Sequence, residues 1–225
     1  MASAVNPGAI DRATVERIVR QVALEYLGRD SKGKAPELVV QASSRHMHVC
    51  REDMDVLFGL GSELTIDRPL HQEGFYAAKE TVTIVGPRSR IISNLRILGP
   101  MRKQSQVELA FTDAIMLGFN DLPVRLSGDI KGTPGAVIVG PKGVVELKEG
   151  VIRAAIHVHM GPSDAEYYRV KHKDVMKLRV GGAAGLTFDR VHVRIDPTSR
   201  LNVHMDTDEA NACGLHLTKD VEIFK

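Results

Sequence analysis

Four of the nine histidines stand in two His-x-His pairs, His46-Met47-His48 and His157-Val158-His159. In a strand, residues two apart point to the same face, so each pair of imidazoles can converge on one ion. Met47 and Val49, like Ile156, Val158 and Met160, then turn to the opposite, apolar side. Imidazole is a good zinc ligand, and two ligands fixed on one strand lose little entropy on binding. Each site still needs a third ligand. Around His204 the alternation repeats, with Val203 and Met205 on one face and Asn202, His204 and Asp206 on the other. Around Glu108 the apolar set is Val107, Leu109 and Phe111, which leaves Gln106 and Glu108 opposite. His204 with the second pair and Glu108 with the first are the candidates, although spacing alone does not make that assignment. A single His-x-His is often only a polar face, and two copies in similar contexts favour metal. His71, His172, His192 and His216 lack a partner at such spacing and read as surface or structural residues.

Gly99-Pro100-Met101-Arg102-Lys103-Gln104 puts two cations on a turn. A planar guanidinium suits an anionic oxygen such as phosphate, although a solvated basic turn is the commoner use of such a sequence. There is no P-loop, no GxGxxG after a strand and no GxSxG elbow, so nucleotide hydrolysis, dinucleotide binding and α/β-hydrolase chemistry lack support. Metal-assisted transfer or hydrolysis remains.

The elements that must hold these residues are mostly short strands punctuated by turns. Thr81 to Val85 runs into Gly86-Pro87, Ile97-Leu98 into Gly99-Pro100, and Ala136 to Val139 into Gly140-Pro141. Such spacing predicts barrels or sandwiches rather than a parallel α/β sheet, with short helical pieces after Arg51 and Pro162. An internal echo points to duplication. His46 to Val49 is followed by Asp53, Asp55 and Val56-Leu57, and His157 to Met160 by Asp164, Glu166 and Tyr167-Tyr168, at one offset of about half the chain. Ahead of the strands, Val15, Ile18, Val19, Val22, Ala23, Tyr26 and Leu27 line one face of an amphipathic helix that Asp11 can cap. The charged, Gly-containing stretch from Gly28 to Pro36 reads as a linker, which suits a helix that docks on a partner.

At 225 residues the chain can form one large β domain or two small ones. Thirty Lys and Arg against 28 Asp and Glu leave a net charge of +2, which gives no nucleic-acid footprint. Only Cys50 and Cys213 are present, in no CxxC pair, so a disulfide framework is not expected and a reducing compartment is. No apolar run reaches the roughly 20 residues of a membrane span, and no secretory signal core is present, so an intracellular protein without a membrane partner is expected.

Ser44-Arg45-His46-Met47-His48-Val49, Gly99 to Glu108, Ile156 to Met160 and His204-Met205-Asp206-Thr207-Asp208-Glu209-Ala210-Asn211 together resemble the PduL-type phosphate propanoyltransferases, the phosphotransacylases of bacterial microcompartments. The resemblance runs from about Leu38 to Phe224. It implies a mainly β fold of two β-barrels with short α-helical caps. Residues 37–45 would join 155–225 in one discontinuous barrel, 46–154 would form the other, and 1–36 would be the amphipathic helix, acting as an encapsulation peptide, and its linker. It implies two zinc ions, one on His46, His48 and Glu108 and one on His157, His159 and His204. It also implies that Arg102 contacts phosphate and that Ser43, Ser44, Arg88, Arg90 and Asn211 contact coenzyme A. The expected reaction converts an acyl-CoA, propanoyl-CoA in the family, and phosphate into acyl phosphate and CoA, with Cys50 a core residue. The expected setting is a homo-oligomer in the microcompartment lumen, held to shell or core proteins by the helix. A dizinc thioester hydrolase and a zinc-stapled scaffold without catalysis are the rival readings.

Overall fold

The computed structural model describes residues 35–225 and, ahead of them, Val15, Glu16, Ile18, Val19 and Val22. Those five are helical, and the side chains of Val15, Ile18, Val19 and Val22 are exposed. The rest of the helix expected from Val15 to Leu27, and most of the linker after it, lie outside the described residues.

From Glu37 onward the chain is mainly β. Its first half holds β1 (Val39–Ser43), β2 (His46–His48), β3 (Ile66–Pro69), β4 (Tyr76–Val85), β5 (Ile91–Gly99), β6 (Gln106–Glu108) and β7 (Val124–Arg125). Then come β8 (Ala136–Val139), β9 (Val144–Leu147), β10 (Val151–Ala154), β11 (His157–Met160), β12 (Val175–Val180), β13 (Leu186–Ile195), β14 (Asn202–Asp206) and β15 (Val221–Phe224). Four short helices interrupt them: α1 (Arg51–Phe58), α2 (Phe111–Leu117), α3 (Pro162–Tyr168) and α4 (Thr207–Ala212). Helices therefore follow Arg51 and Pro162 as the sequence predicts.

The strands form two sheets that curl into half-barrels. One is six-stranded in the order β1-β14-β11-β13-β12-β15; the other is nine-stranded in the order β7-β10-β6-β2-β5-β4-β8-β9, with β3 beside β4. Each has its own core. Met47, Leu57, Ile84, Leu95, Ile97, Val107 and Leu117 pack in the larger, and Val158, Met160, Met176, Leu178, Val203 and Met205 in the smaller. A fully buried aliphatic side chain of this kind contributes about 1.5–3 kcal/mol.

The echo seen in sequence has a counterpart in pairing. Along β10-β6-β2-β5-β4-β8 the neighbours are parallel, antiparallel, parallel, antiparallel and antiparallel. Along β1-β14-β11-β13-β12-β15 the series is the same. In each, the His-x-His strand lies third and the strand with the proposed third ligand second. The two halves also exchange strands. β1 pairs in the smaller sheet and the chain then crosses to β2 in the larger; β10 pairs in the larger and the chain then crosses to β11 in the smaller. Both His-x-His strands thus begin immediately after a crossover, at Ser44-Arg45 and at Ala155-Ile156.

Candidate metal and substrate site

Period two on β2 sends His46 and His48 to one side and Met47, fully buried, to the other. Their Nε2 atoms are 3.2 Å apart. Glu108 is the register partner of His46 across the antiparallel β2–β6 pair, and its carboxylate oxygens lie 3.5 Å from His46 Nε2 and 3.8 Å from His48 Nε2. The other ring nitrogens face backbone carbonyls: His46 Nδ1 is 2.9 Å from Ser44 O, and His48 Nδ1 is 3.3 Å from Leu98 O. A carbonyl only accepts, so each Nδ1 carries the proton and each Nε2 keeps its lone pair toward the other. Gly99 holds the end of β5 in place for this. A Cβ there would meet Tyr76 Cζ at 2.2 Å, so only glycine lets the strand end lie against that ring.

The second cluster repeats the plan. His157 and His159 have Nε2 atoms 3.2 Å apart, and His157 Nδ1 is 2.8 Å from the crossover carbonyl of Ala155. His204 is the register partner of His157 across the antiparallel β11–β14 pair. The three rings enclose one point, with centroids 4.9, 5.3 and 5.0 Å apart. In both clusters a side-chain amide braces the third residue. Gln106 donates to Glu108 Oε1 at 2.7 Å and accepts from the Gly128 backbone at 2.8 Å. At the matching position Asn202 Nδ2 lies 2.9 Å from His204 Nε2 and 2.9 Å from Gln41 Oε1, while its Oδ1 is buried with no hydrogen-bond partner among the described residues.

In each triad one candidate ligand atom per residue lies within 4.8 Å of the others, as a shared metal ion requires. Two imidazole lone pairs facing each other repel unless a cation or proton lies between them. Two Zn–N bonds of about 2.0 Å at a tetrahedral angle would separate the nitrogens by roughly 3.3 Å, close to the 3.2 Å seen in both pairs. The donor sets therefore fit two ions such as zinc, each with three protein ligands and room for a further ligand.

The surroundings keep five of these six groups, His48, Glu108, His157, His159 and His204, in their ligating forms. Burial, then the neighbouring His204, depress His157 to about 3; burial and His204 likewise take His159 to about 3. Burial takes His204 to about 4, against an opposing pull from Glu108. Burial, His46 and Arg102 lower His48 well below its ordinary value. Burial alone would raise Glu108, but His46, the Ser127 hydroxyl, His157 and Arg102 together hold its carboxyl below the usual range. That Glu108 feels both His46 and His157 shows how near the two triads lie.

All six of these residues line one cavity of about 530 Å³. Arg102 lines it too. Its backbone N–H donates to Val49 O at 2.9 Å, just past β2, and its guanidinium donates to Ser127 Oγ at 2.9 Å, so Arg102 belongs to the site while Lys103, next to it on the turn, is exposed. Ser43 and Ser44 also line the cavity. Arg88, Arg90 and Asn211 do not. Arg88 donates to Asn120 Oδ1 at 3.0 Å and Arg90 to Met116 O at 3.4 Å, on the β4–β5 turn beside α2, and Asn211 is exposed on α4. Cys50 is buried, which pushes its thiol up and suits a core residue. Alternation misplaced Phe111: the chain leaves β6 at Glu108 and turns at Ala110, so Phe111 opens α2 and is exposed. His71, which reads in sequence as a surface or structural residue, lines the cavity, and so does Arg194, which was not singled out there. Gln106 and Asn202 could have been, because each stands two residues before a third ligand.

Against known proteins, the family model described as phosphate propanoyltransferase matches residues 39–216. A phosphate propanoyltransferase of Planctopirus limnophila is 52% identical over 97% of this chain and 93% of its own. One of Thermotoga maritima is 53% identical over 81% of this chain and 87% of its own. One of Rhodopseudomonas palustris is 38% identical over 96% and 99%.

Proposed function

Since this chain belongs to the phosphate propanoyltransferase family, we propose that it exchanges an acyl group, propanoyl first among them, between coenzyme A and inorganic phosphate at a two-zinc site. The observation that carries the reading is the convergence of both triads and Arg102 on one cavity. His46, His48 and Glu108 would hold one zinc, and His157, His159 and His204 the other. When bound, zinc supplies Lewis-acid polarisation of a carbonyl or phosphate oxygen and stabilises a thiolate.

The chain's own residues do the rest. Arg102 binds the phosphate by charge-assisted hydrogen bonds and offsets the charge of the tetrahedral intermediate. A phosphate oxygen forms a bond to the thioester carbonyl carbon, the C–S bond breaks, and CoA leaves as a thiolate that takes up a proton. Ser43, the last residue of β1, and Ser44, at the crossover that enters β2, line the cavity and would contact the CoA ester there. Arg88, Arg90 and Asn211 would serve coenzyme A only through parts of it that extend beyond that cavity. No enzyme nucleophile is needed, and the buried Cys50 supplies none.

The exposed apolar side chains of Val15, Ile18, Val19 and Val22 support the further reading that the N-terminal helix docks on a microcompartment shell or core protein and delivers the enzyme, as a homo-oligomer, to the lumen. The catalytic reading is tested by following free CoA from propanoyl-CoA with and without phosphate. The expected result is release that requires phosphate and matches acyl phosphate formed. Equal release without phosphate would instead make the protein a hydrolase, and no release at all would leave a scaffold.

A further inference from the structure

Five arginines line the cavity: Arg45, Arg68, Arg96, Arg102 and Arg194. Arg45 is paired with Asp113 at 2.6 Å. Arg96 donates to the carbonyls of Ala78 and Lys79 at 2.8 and 3.2 Å. Arg68 sits on the exposed strand β3. Arg102 and Arg194 remain, and they stand at opposite triads. Arg194 is the register partner of His159 across the parallel β11–β13 pair, so its side chain leaves the sheet on the side of the second triad. It is half-buried, and among the described residues no group hydrogen-bonds or ion-pairs with its guanidinium. Asp196, two residues on, feels its charge but is engaged by Thr198, through hydrogen bonds of 3.0 and 2.7 Å. The second triad is all imidazole and carries no negative charge, whereas the first includes Glu108. Among the described residues the cation beside it therefore has no ion-paired carboxylate, although Asp196 is near enough to feel its charge. Arg194 also acts electrostatically on His157, His159, His204 and Arg102, which puts it on the same small volume as both triads.

We propose that Arg194 is a second phosphate-binding residue, which holds the phosphate from the side of the second triad while Arg102 holds it from the first. A phosphate dianion is the ligand chemistry that two guanidinium groups facing one cavity without a carboxylate bound to either accommodate, because each keeps N–H donors for a separate part of the anion. The inference rests on the phosphotransacylase reading.

The test compares Arg194→Gln and Arg194→Lys with the wild-type enzyme, in the acyl-CoA-plus-phosphate direction and in reverse. The KM for phosphate should rise by about tenfold or more in Arg194→Gln and by a smaller factor in Arg194→Lys, which keeps the charge and loses the planar fork. The KM for acyl phosphate should follow it, and that for acyl-CoA should stay within about threefold of wild type. A readout without turnover is the rise in Tm caused by inorganic phosphate, which should shrink in the same order. Arg194→Lys is expected to fold whatever happens to the Gln variant, and an unchanged phosphate KM in either folded variant overturns the proposal. A rise confined to CoA and acyl-CoA also overturns it, by placing Arg194 on the CoA side. Absence of saturable phosphate dependence in the wild type would bring down the underlying reading and this inference together. A saturable wild type with unaltered variants would remove only the role of Arg194.

Discussion

At the scale of the residue, burial keeps the three histidines of the second triad neutral, and this has a pH consequence. His157 and His159 are depressed to about 3 and His204 to about 4, whereas in the unfolded chain each titrates near the ordinary value of about 6.5. Below that value the unfolded state binds protons that the folded state refuses, so stability falls as pH falls. The loss should begin near pH 6.5 and continue to about pH 3–4, where the folded histidines finally protonate. The Tm of the metal-free protein should therefore decline steadily across this window, and His159→Gln should flatten the decline. A Tm independent of pH from 7 to 4, or the same slope in the variant, would contradict the assignment. The candidate ligands were readable in sequence because a strand has period two: His46, His48, His157 and His159 announce themselves, and Glu108 and His204 stand out on the polar side of alternating segments. Arg194 and His71 were not. Nothing local separates Arg194 from Arg190 or His192 on the same strand; only the pairing of β13 with β11, far apart in sequence, brings it to the triad.

At the scale of the element, each third ligand lies on a strand that runs straight into a helix, and the helix start is pinned to a crossover strand. Asp206 accepts from the Glu209 backbone N–H at 2.8 Å, and Glu209 accepts from that of Asp206 at 2.9 Å, a reciprocal cap at the head of α4. Arg153 of β10 donates to both carboxylates at 2.7 Å. On the other side Arg45 ties the first crossover to Asp113 of α2. Removing Asp206 takes away a cap worth about 1 kcal/mol and a hydrogen bond to a charged group worth about 1.5–3 kcal/mol. Denaturant unfolding should show Asp206→Ala destabilised by about 2–4 kcal/mol, and Asp206→Asn by clearly less, since the amide oxygen can still cap. Equal losses would mean that the cap contributes nothing. Turns such as Gly86-Pro87 and Gly140-Pro141, and the helices after Arg51 and Pro162, were legible because turn and helix-start chemistry is local. The sheet that a strand joins is not. Nothing local in β1 or β10 marks the sheet it joins; the expected grouping of residues 37–45 with 155–225 comes from the family resemblance and not from the residues themselves. Phe111 shows the same limit at shorter range, since an apolar residue continuing an alternation is indistinguishable from one that opens the next helix.

At the scale of the whole molecule, the described residues of the two cores and of the cavity all fall between Glu37 and Lys225. Deleting residues 1–34 should leave turnover and Tm largely unchanged and abolish delivery to microcompartments, measured on the truncated and full-length chains and by co-localisation with shells. A large drop in Tm would show instead that the helix is part of the fold, and normal delivery would remove its targeting role. The duplicated pairing of the two half-barrels gives the molecule two corresponding clusters of candidate metal ligands, one with a carboxylate and one without. The measurement that tests this most directly is metal content per chain, taken with turnover on the same samples of the wild type, His46→Ala and His157→Ala. Close to two zinc ions are expected in the wild type and about one in each variant, with turnover lost in both. A fully active wild-type preparation that contains no transition metal would contradict the account.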